Sequence, residues 1–258
     1  MNDAVLLDIR DGLATITLNR PERANVLDLE LAPVLIRCID QTLADASVRA
    51  VLLRAQGKHF CAGGYIADFA ASLQDLPGLL DRHIPPLHEA IHKLATSPLP
   101  VVSALNGPIG GGGIGLALCA DIVIAAESMK LRGGYSAIGL TPDAGGSWFL
   151  TRRVGAARAK EIFFLNAAIT SAQCLAWGVV SQVVPDAQLG EVSAALANSL
   201  AHSATGSLGR IKQLVDGAAD RSLQEQLDME HRFMVESGAT PHAHEGVTAF
   251  MAKRAPRF

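Results

Sequence analysis

Aromatic residues are scarce: Phe, Trp and Tyr make up only 5% of 258 residues. So few flat rings give no stacking surface for single-stranded nucleic acid, whose bases lie on aromatic side chains. An excess of positive charge is also missing. The formal net charge is −3 and the pI about 6.2, so nothing here favours a nucleic-acid backbone or an anionic membrane. The four cysteines, Cys38, Cys61, Cys119 and Cys174, contain no CxxC pair. Their spacing suggests neither a zinc site nor a disulfide framework, and small buried thiols in a reducing compartment are expected. No apolar run approaches the ~18–20 residues of a membrane-spanning helix, because Gly, Asp or Pro interrupts the long ones. The stretch from Met1 to Arg10 carries Asp3 and Asp8 and no apolar signal region, so a cytosolic protein is expected.

What is present is a chain with 49% hydrophobic residues, enough for a sizeable core. The first half alternates strands and helices. Residues 5–9 and 14–18 read as strands joined by Arg10-Asp11-Gly12, a turn signal. Asp28 can cap a helix running from about 29 to 46, with Leu31, Val34, Leu35, Ile39 and Leu43 at helical spacing. Residues 48–54 form an apolar run with little polar alternation, as in a strand covered on both faces. Residues 68–84 are irregular and are expected to be a mobile segment, with a helix beginning only after Pro85-Pro86. Further strands are predicted at 101–105 and 121–126, and a short helix at 114–119. Repeated strand–crossover–strand units imply a mainly parallel α/β core. Beyond about residue 190 the apolar positions recur at helical spacing, which divides the chain into an α/β core over 1–190 and a helical subdomain over 191–258.

Two glycine-containing turns follow predicted strands. One is His59-Phe60-Cys61-Ala62-Gly63-Gly64-Tyr65, the other Asn106-Gly107-Pro108-Ile109-Gly110-Gly111-Gly112-Gly113. Glycine lets a ligand approach the main chain, and the first N–H groups of a helix lack internal partners. Taken alone, such turns serve tight packing, a phosphate cradle or a pair of oxyanion donors equally well. The second turn lacks the Lys-Ser/Thr ending of a nucleotide P-loop.

The order of several motifs is more specific. Leu18-Asn19-Arg20-Pro21, Phe60-Cys61-Ala62-Gly63-Gly64, Asn106-Gly107 with Gly111-Gly112-Gly113, and Ala120-Asp121-Ile122 follow one another. Gly139-Leu140-Thr141-Pro142-Asp143-Ala144-Gly145-Gly146 and Phe250-Met251-Ala252-Lys253-Arg254 complete the set. Across nearly the whole chain this resembles the crotonase superfamily, the enoyl-CoA hydratase/isomerase family. The resemblance implies a crotonase-like ββα spiral core with a helical C-terminal subdomain used for oligomerisation, as a homotrimer or a hexamer. It implies an acyl-coenzyme A thioester as substrate, with coenzyme A as part of that substrate and neither a separate cofactor nor a metal. Gly64 and Gly112 fall where the family's oxyanion amides lie. Ala62 falls where a carbonyl accepts from the adenine amino group. Arg23 falls at a nucleotide contact, and Lys253 at a basic residue near the phosphates that a neighbouring subunit often supplies.

The acid–base residues depart from the hydratase pattern. The two glutamates of family hydratases fall at Gly115 and Tyr135. A carboxylate stands instead at Asp143, as in family isomerases, and Pro142-Asp143-Ala144-Gly145-Gly146-Ser147-Trp148 is most similar to isomerases of phenylacetyl-CoA degradation. This points to an isomerase in which Asp143 moves a proton between two carbons of a thioester enolate. By local sequence alone a helix N-cap is the favoured reading of Asp143, and only the family pattern reverses that preference. A hydratase using Asp68 or His88 as base is the alternative. His88 and Tyr135 also match positions of an aromatic-thioester dehalogenase, and a noncatalytic acyl-CoA-binding protein completes the alternatives. His88 and His92 share a helix face without a third metal ligand, so they are helix surface or one of them lines the pocket, with His88, like Tyr135, the substrate-binding candidate. Tyr135, Trp148 and Phe149 suggest an aromatic acyl group or ordinary core packing.

Overall fold

The computed structural model describes residues 4–258, so Asp3 lies outside the described residues. In chain order the elements are β1 (Val5–Arg10), β2 (Leu13–Leu18), α1 (Leu31–Ala44), β3 (Ala50–Ala55), α2 (Ile66–Ala71) and α3 (Leu76–Thr96). There follow β4 (Val101–Leu105), β5 (Ile109–Gly110), α4 (Gly112–Leu118), β6 (Ile122–Ala126), β7 (Lys130–Arg132), α5 (Gly146–Leu165), β8 (Ile169–Thr170), α6 (Ser171–Ala176) and β9 (Gln182–Val184). Helices α7 (Leu189–Ala201), α8 (Thr205–Gly217), α9 (Leu223–Gly238) and α10 (Pro241–Met251) end the chain.

The main sheet has the order β1-β2-β3-β4-β6-β9. Only the first pair is antiparallel, and the remaining pairs are parallel. A smaller, separate sheet has the order β5-β7-β8. The period-two geometry of strands sorts the apolar residues into two layers. Val51, Leu53, Val101, Leu105, Val123 and Ala125 enter the larger core. Their neighbours Ala50, Leu52, Val102, Ala104, Ile124 and Ala126 enter a second core on the other face. This explains the unbroken apolar runs: both faces are covered. Helix α7 closes the second face with Leu189, Ala197 and Ala201, so the first helix of the C-terminal tail packs on the sheet.

Asp28 caps α1 as expected. Its Oδ1 accepts the amide hydrogens of Glu30 and Leu31 at 3.0 and 2.7 Å. Helix α3 differs from expectation. Residues 68–84 are not irregular, and the helix does not wait for the prolines but runs through Pro85 and Pro86. Each proline removes an intrahelical hydrogen bond. The stripe Leu79, Leu87, Ala90, Ile91 and Leu94, all buried, offsets that loss by packing. Among the described residues no helix is long and apolar enough to cross a membrane.

Candidate active site

Strands β3 and β4 are parallel neighbours, so the loops leaving their C-terminal ends lie side by side. Those loops are the two glycine turns. They are stitched together backbone to backbone: Phe60 N donates to Pro108 O at 3.2 Å and Gly110 N to Cys61 O at 3.1 Å. A side chain adds a third tie, Asn106 Nδ2 to Gly57 O at 2.7 Å. The segment before α1 is sewn in as well, through Leu27 N to Gly63 O at 2.7 Å and Ala62 N to Ala24 O at 3.1 Å. Asn25, fully buried with φ +51°, donates to the carbonyls of Gln56 and His59 at 3.0 and 2.8 Å. Its role was invisible in the sequence, because these two partners lie more than thirty residues away.

Gly63 shows how close the turns come. It sits at φ +97°, and a Cβ there would lie 2.8 Å from Gly110 O and 3.2 Å from Gly112 N. Gly112 is the first residue of α4, so its amide has no intrahelical partner. A Cβ on Gly112 would lie 3.2 Å from Asp143 Oδ1. Gly64 and Asp143 both line a cavity of about 340 Å³ between α1, α2 and α3. Its wall is mostly apolar, with Leu27, Ile36, Phe69, Leu79, Ile84 and Leu87 prominent. Asp68 and His83 are polar exceptions. The contribution of α1 to this wall was missed. Its signal is the i, i+4 pair Ala32 and Ile36, beside the buried Leu31 and Leu35 stripe.

Asp143 is half-buried and does not cap α5. The N-cap residue of that helix is Gly145, with no side-chain hydrogen bond. Instead Tyr135 Oη donates to Asp143 Oδ1 at 2.5 Å. Tyr135 is buried, its ring centroid 6.1 Å from that of Phe163. Burial, reinforced by the Asp143 charge, pushes the Tyr135 phenol well up, so it stays a donor. The next backbone amide, Ala144 N–H, donates to His88 Nε2 at 2.8 Å. Ala144 is fully buried at φ +51°, an uncommon conformation for a residue with a side chain. His88 therefore spends its ring acceptor on the turn that carries Asp143, and it is not part of the cavity wall, so it is not placed as a substrate contact.

A family model described as Enoyl-CoA hydratase/isomerase matches residues 8–258. The chain belongs to this family, within the crotonase superfamily. It is 39% identical to the 1,2-epoxyphenylacetyl-CoA isomerase of Escherichia coli, over 100% of this chain and 99% of that protein. It is 36% identical to a Rhodobacter capsulatus protein named as a probable enoyl-CoA hydratase, over 97% of this chain and 96% of that one. The crystal structure of an enoyl-CoA hydratase from Polaromonas sp. JS666 superposes with a TM-score of 0.92 at 30% identity, covering 98% of each chain. The fold is the crotonase fold, and the relatives include both isomerases and hydratases by name.

Within this crotonase fold, Gly115 stands where the motif places a hydratase glutamate. A Cβ at Gly115 would sit 1.9 Å from Ala144 O and 3.0 Å from Gly146 N. No side chain fits there unless the Asp143–Gly146 turn moves. Arg23 Nη1 lies 3.3 Å from Asp28 Oδ2, and its guanidinium carbon is 5.6 Å from the Tyr65 ring centroid. Asp28 and Tyr65 line the cavity, and Arg23 contacts both without itself being part of the cavity wall. Ala62 is exposed on the same loop as Gly64. Lys253 is exposed on the turn after α10 and is not part of the cavity wall. Tyr135, Trp148 and Phe149 do not line the cavity either, so they carry no argument for an aromatic acyl group. Phe149 and Trp148 pack edge to face at 4.9 Å, and Arg152 lies 4.0 Å over Trp148. His92 is exposed farther along α3, and its carbonyl accepts from Thr96 Oγ1. Asp121 is structural: it accepts from Val101 N at 2.7 Å and pairs with Lys212 at 3.1 Å. All four cysteines are buried, and burial pushes the Cys61, Cys119 and Cys174 thiols up to about 12. Such thiols are inert packing groups.

Proposed function

We propose that this protein is an acyl-CoA isomerase that moves a double bond through a thioester enolate, with Asp143 as the proton carrier. The observation that carries the reading is the Asp143 carboxylate on the cavity wall beside Gly112. The hydratase glutamate positions are meanwhile Gly115 and Tyr135. The amides of Gly64 and Gly112 serve as the oxyanion donors for the enolate. Such donors act where charge develops, and losing one typically costs about 2.7–4 kcal/mol of barrier. A thioester carbonyl acidifies the neighbouring C–H, so one carboxylate suffices to take a proton at one carbon and return it at another. That balance consumes nothing and calls for no metal or redox cofactor. In this reading Ala62 O meets the adenine, Arg23 the nucleotide, and Lys253 reaches the phosphates of a neighbouring copy. The similarity to a phenylacetyl-CoA-pathway isomerase favours a ring-derived acyl group.

The test is turnover of a 3-enoyl-CoA to the 2-enoyl-CoA, followed by chromatography of the thioesters. Asp143→Asn should lower the rate by about 100-fold or more, the range of general acid–base catalysis, while leaving acyl-CoA binding intact. An Asp143→Asn protein that isomerises normally would sink the assignment. Asp68, on the same cavity wall, keeps a hydratase in view. That reading expects 3-hydroxyacyl-CoA from 2-enoyl-CoA, lost in Asp68→Asn and retained in Asp143→Asn.

We also propose that the tail beyond residue 190 joins copies of the chain as a trimer or a dimer of trimers. The support is apolar surface on α9 and α10: Leu223, Met234, Val235, Val247, Phe250 and Met251 are each more than 60% exposed.

A further inference from the structure

We propose that Tyr135 is a positioning residue that restricts Asp143 to a single working oxygen, so that the proton removed from the substrate is the one returned. The proposal rests on the isomerase reading above. Its foundation is the 2.5 Å hydrogen bond from Tyr135 Oη to Asp143 Oδ1. Hydroxyl–carboxylate bonds this short are charge-assisted and directional. The donor cannot drift, because its segment is anchored on both sides. Gly134 N donates to Asn166 Oδ1 at 2.7 Å and Ser136 Oγ to Phe163 O at 2.8 Å. Tyr135 as a residue is only 7% exposed. The acceptor is held as well, since the amide of the following residue, Ala144, is bonded to His88 Nε2 at 2.8 Å. With the backbone pinned at one end and Oδ1 at the other, turning the carboxylate breaks the tyrosine bond. Oδ2 has no protein donor among the described residues. Oδ1, the oxygen 3.2 Å from where a Cβ on Gly112 would lie, is the one the tyrosine holds, so by elimination Oδ2 is the oxygen assigned to proton exchange with substrate.

The step balances on the enzyme's own groups. Oδ2 takes the C2 proton of a 3-enoyl thioester, and the C–H electron pair flows through the carbonyl onto the thioester oxygen. The 3,4 double bond then shifts to 2,3 as the enolate collapses, and Oδ2 returns the same proton at C4. A carboxylate held in one orientation, flanked by the apolar cavity wall, has little opportunity to trade that proton with water.

Tyr135→Phe removes the hydroxyl and keeps the packed ring. Steady-state isomerisation should show kcat lowered about 10- to 100-fold, the cost of mispositioning a reacting group, with KM changed less than about 2-fold. Run in D2O with mass spectrometry of the product, the variant should incorporate more solvent deuterium than the wild type. Unchanged kcat and deuterium content would overturn the proposal. So would a lower kcat with unchanged deuterium, which marks a merely structural role, or a raised KM alone, which marks a substrate contact. If wild-type protein does not isomerise 3-enoyl-CoA, the isomerase reading fails by itself. Positioning is then read from crystal structures of both proteins. One Asp143 rotamer in the wild type and a turned carboxylate in Tyr135→Phe supports it; the same rotamer in both overturns it.

Discussion

At Gly115 the backbone of the Ala144–Gly146 turn occupies the space any side chain would claim. Its missing Cβ would lie 1.9 Å from the carbonyl oxygen of Ala144, which is itself held at φ +51° by the His88 bond. Backbone atoms cannot yield as the end of a flexible side chain can. Gly115→Ala should therefore destabilise the protein by on the order of 3 kcal/mol, as overpacking does at rigid sites. Differential scanning calorimetry should show a Tm lower by roughly 5–10 °C. An Ala variant with wild-type Tm would show that the 143–146 turn is free to move. The same contact makes the absent hydratase glutamate a physical matter as well as a sequence difference. Installing it would displace the residue that stands beside Gly112. The Asp143 cap reading fails for a related reason. The tyrosine hydroxyl competes for the carboxylate, and Gly145 begins the helix without side-chain help.

Helix α3 is built from two dissimilar halves. Residues 76–86 supply much of the cavity wall, including Leu79, His83 and Ile84, whereas Ala90, Ile91 and Leu94 are buried in the core. Pro85 and Pro86 fall at the junction and delete two helical hydrogen bonds there. The N-terminal half thus has weaker backbone support and one face toward a void. Hydrogen exchange followed by mass spectrometry should find amides of 78–84 exchanging faster than those of 88–95. A saturated acyl-CoA should slow the first set and leave the second unchanged. Equal protection in both halves would remove the idea that the acyl group is received by the flexible part of the helix. The sequence misled here because proline is read as a stop, while the apolar stripe that overrides it depends on contacts with α1 and the sheet.

Across the whole molecule, apolar residues are sorted into two covered sheet faces and an uncovered outer surface. Leu52, Val102 and Ile124 are buried under α7, whereas Phe250 and Met251 of α10 stay 82% and 76% exposed. Exposed apolar surface on this scale marks a contact region. Analytical ultracentrifugation should give a particle of three or six times the 27.1 kDa chain mass. Phe250→Glu with Met251→Glu should dissociate it, and a monomeric wild type would dispose of the proposal. Much of this architecture was legible in the order of residues. Period-two and period-3.6 patterns reflect local geometry, so β1 to β4, β6 and the helical tail could be read within a few residues. The glycine motifs, too, announce close main-chain approach without a structure. What only folding decided was which groups meet. Tyr135 is eight residues from Asp143 but His88 is 56 from Ala144, and their convergence follows from how α3 and the turn before α5 pack. Nothing in local pattern encodes that meeting. Side-chain contacts between distant segments are set by the packing of whole elements, and it is those contacts that give Asp143 its orientation.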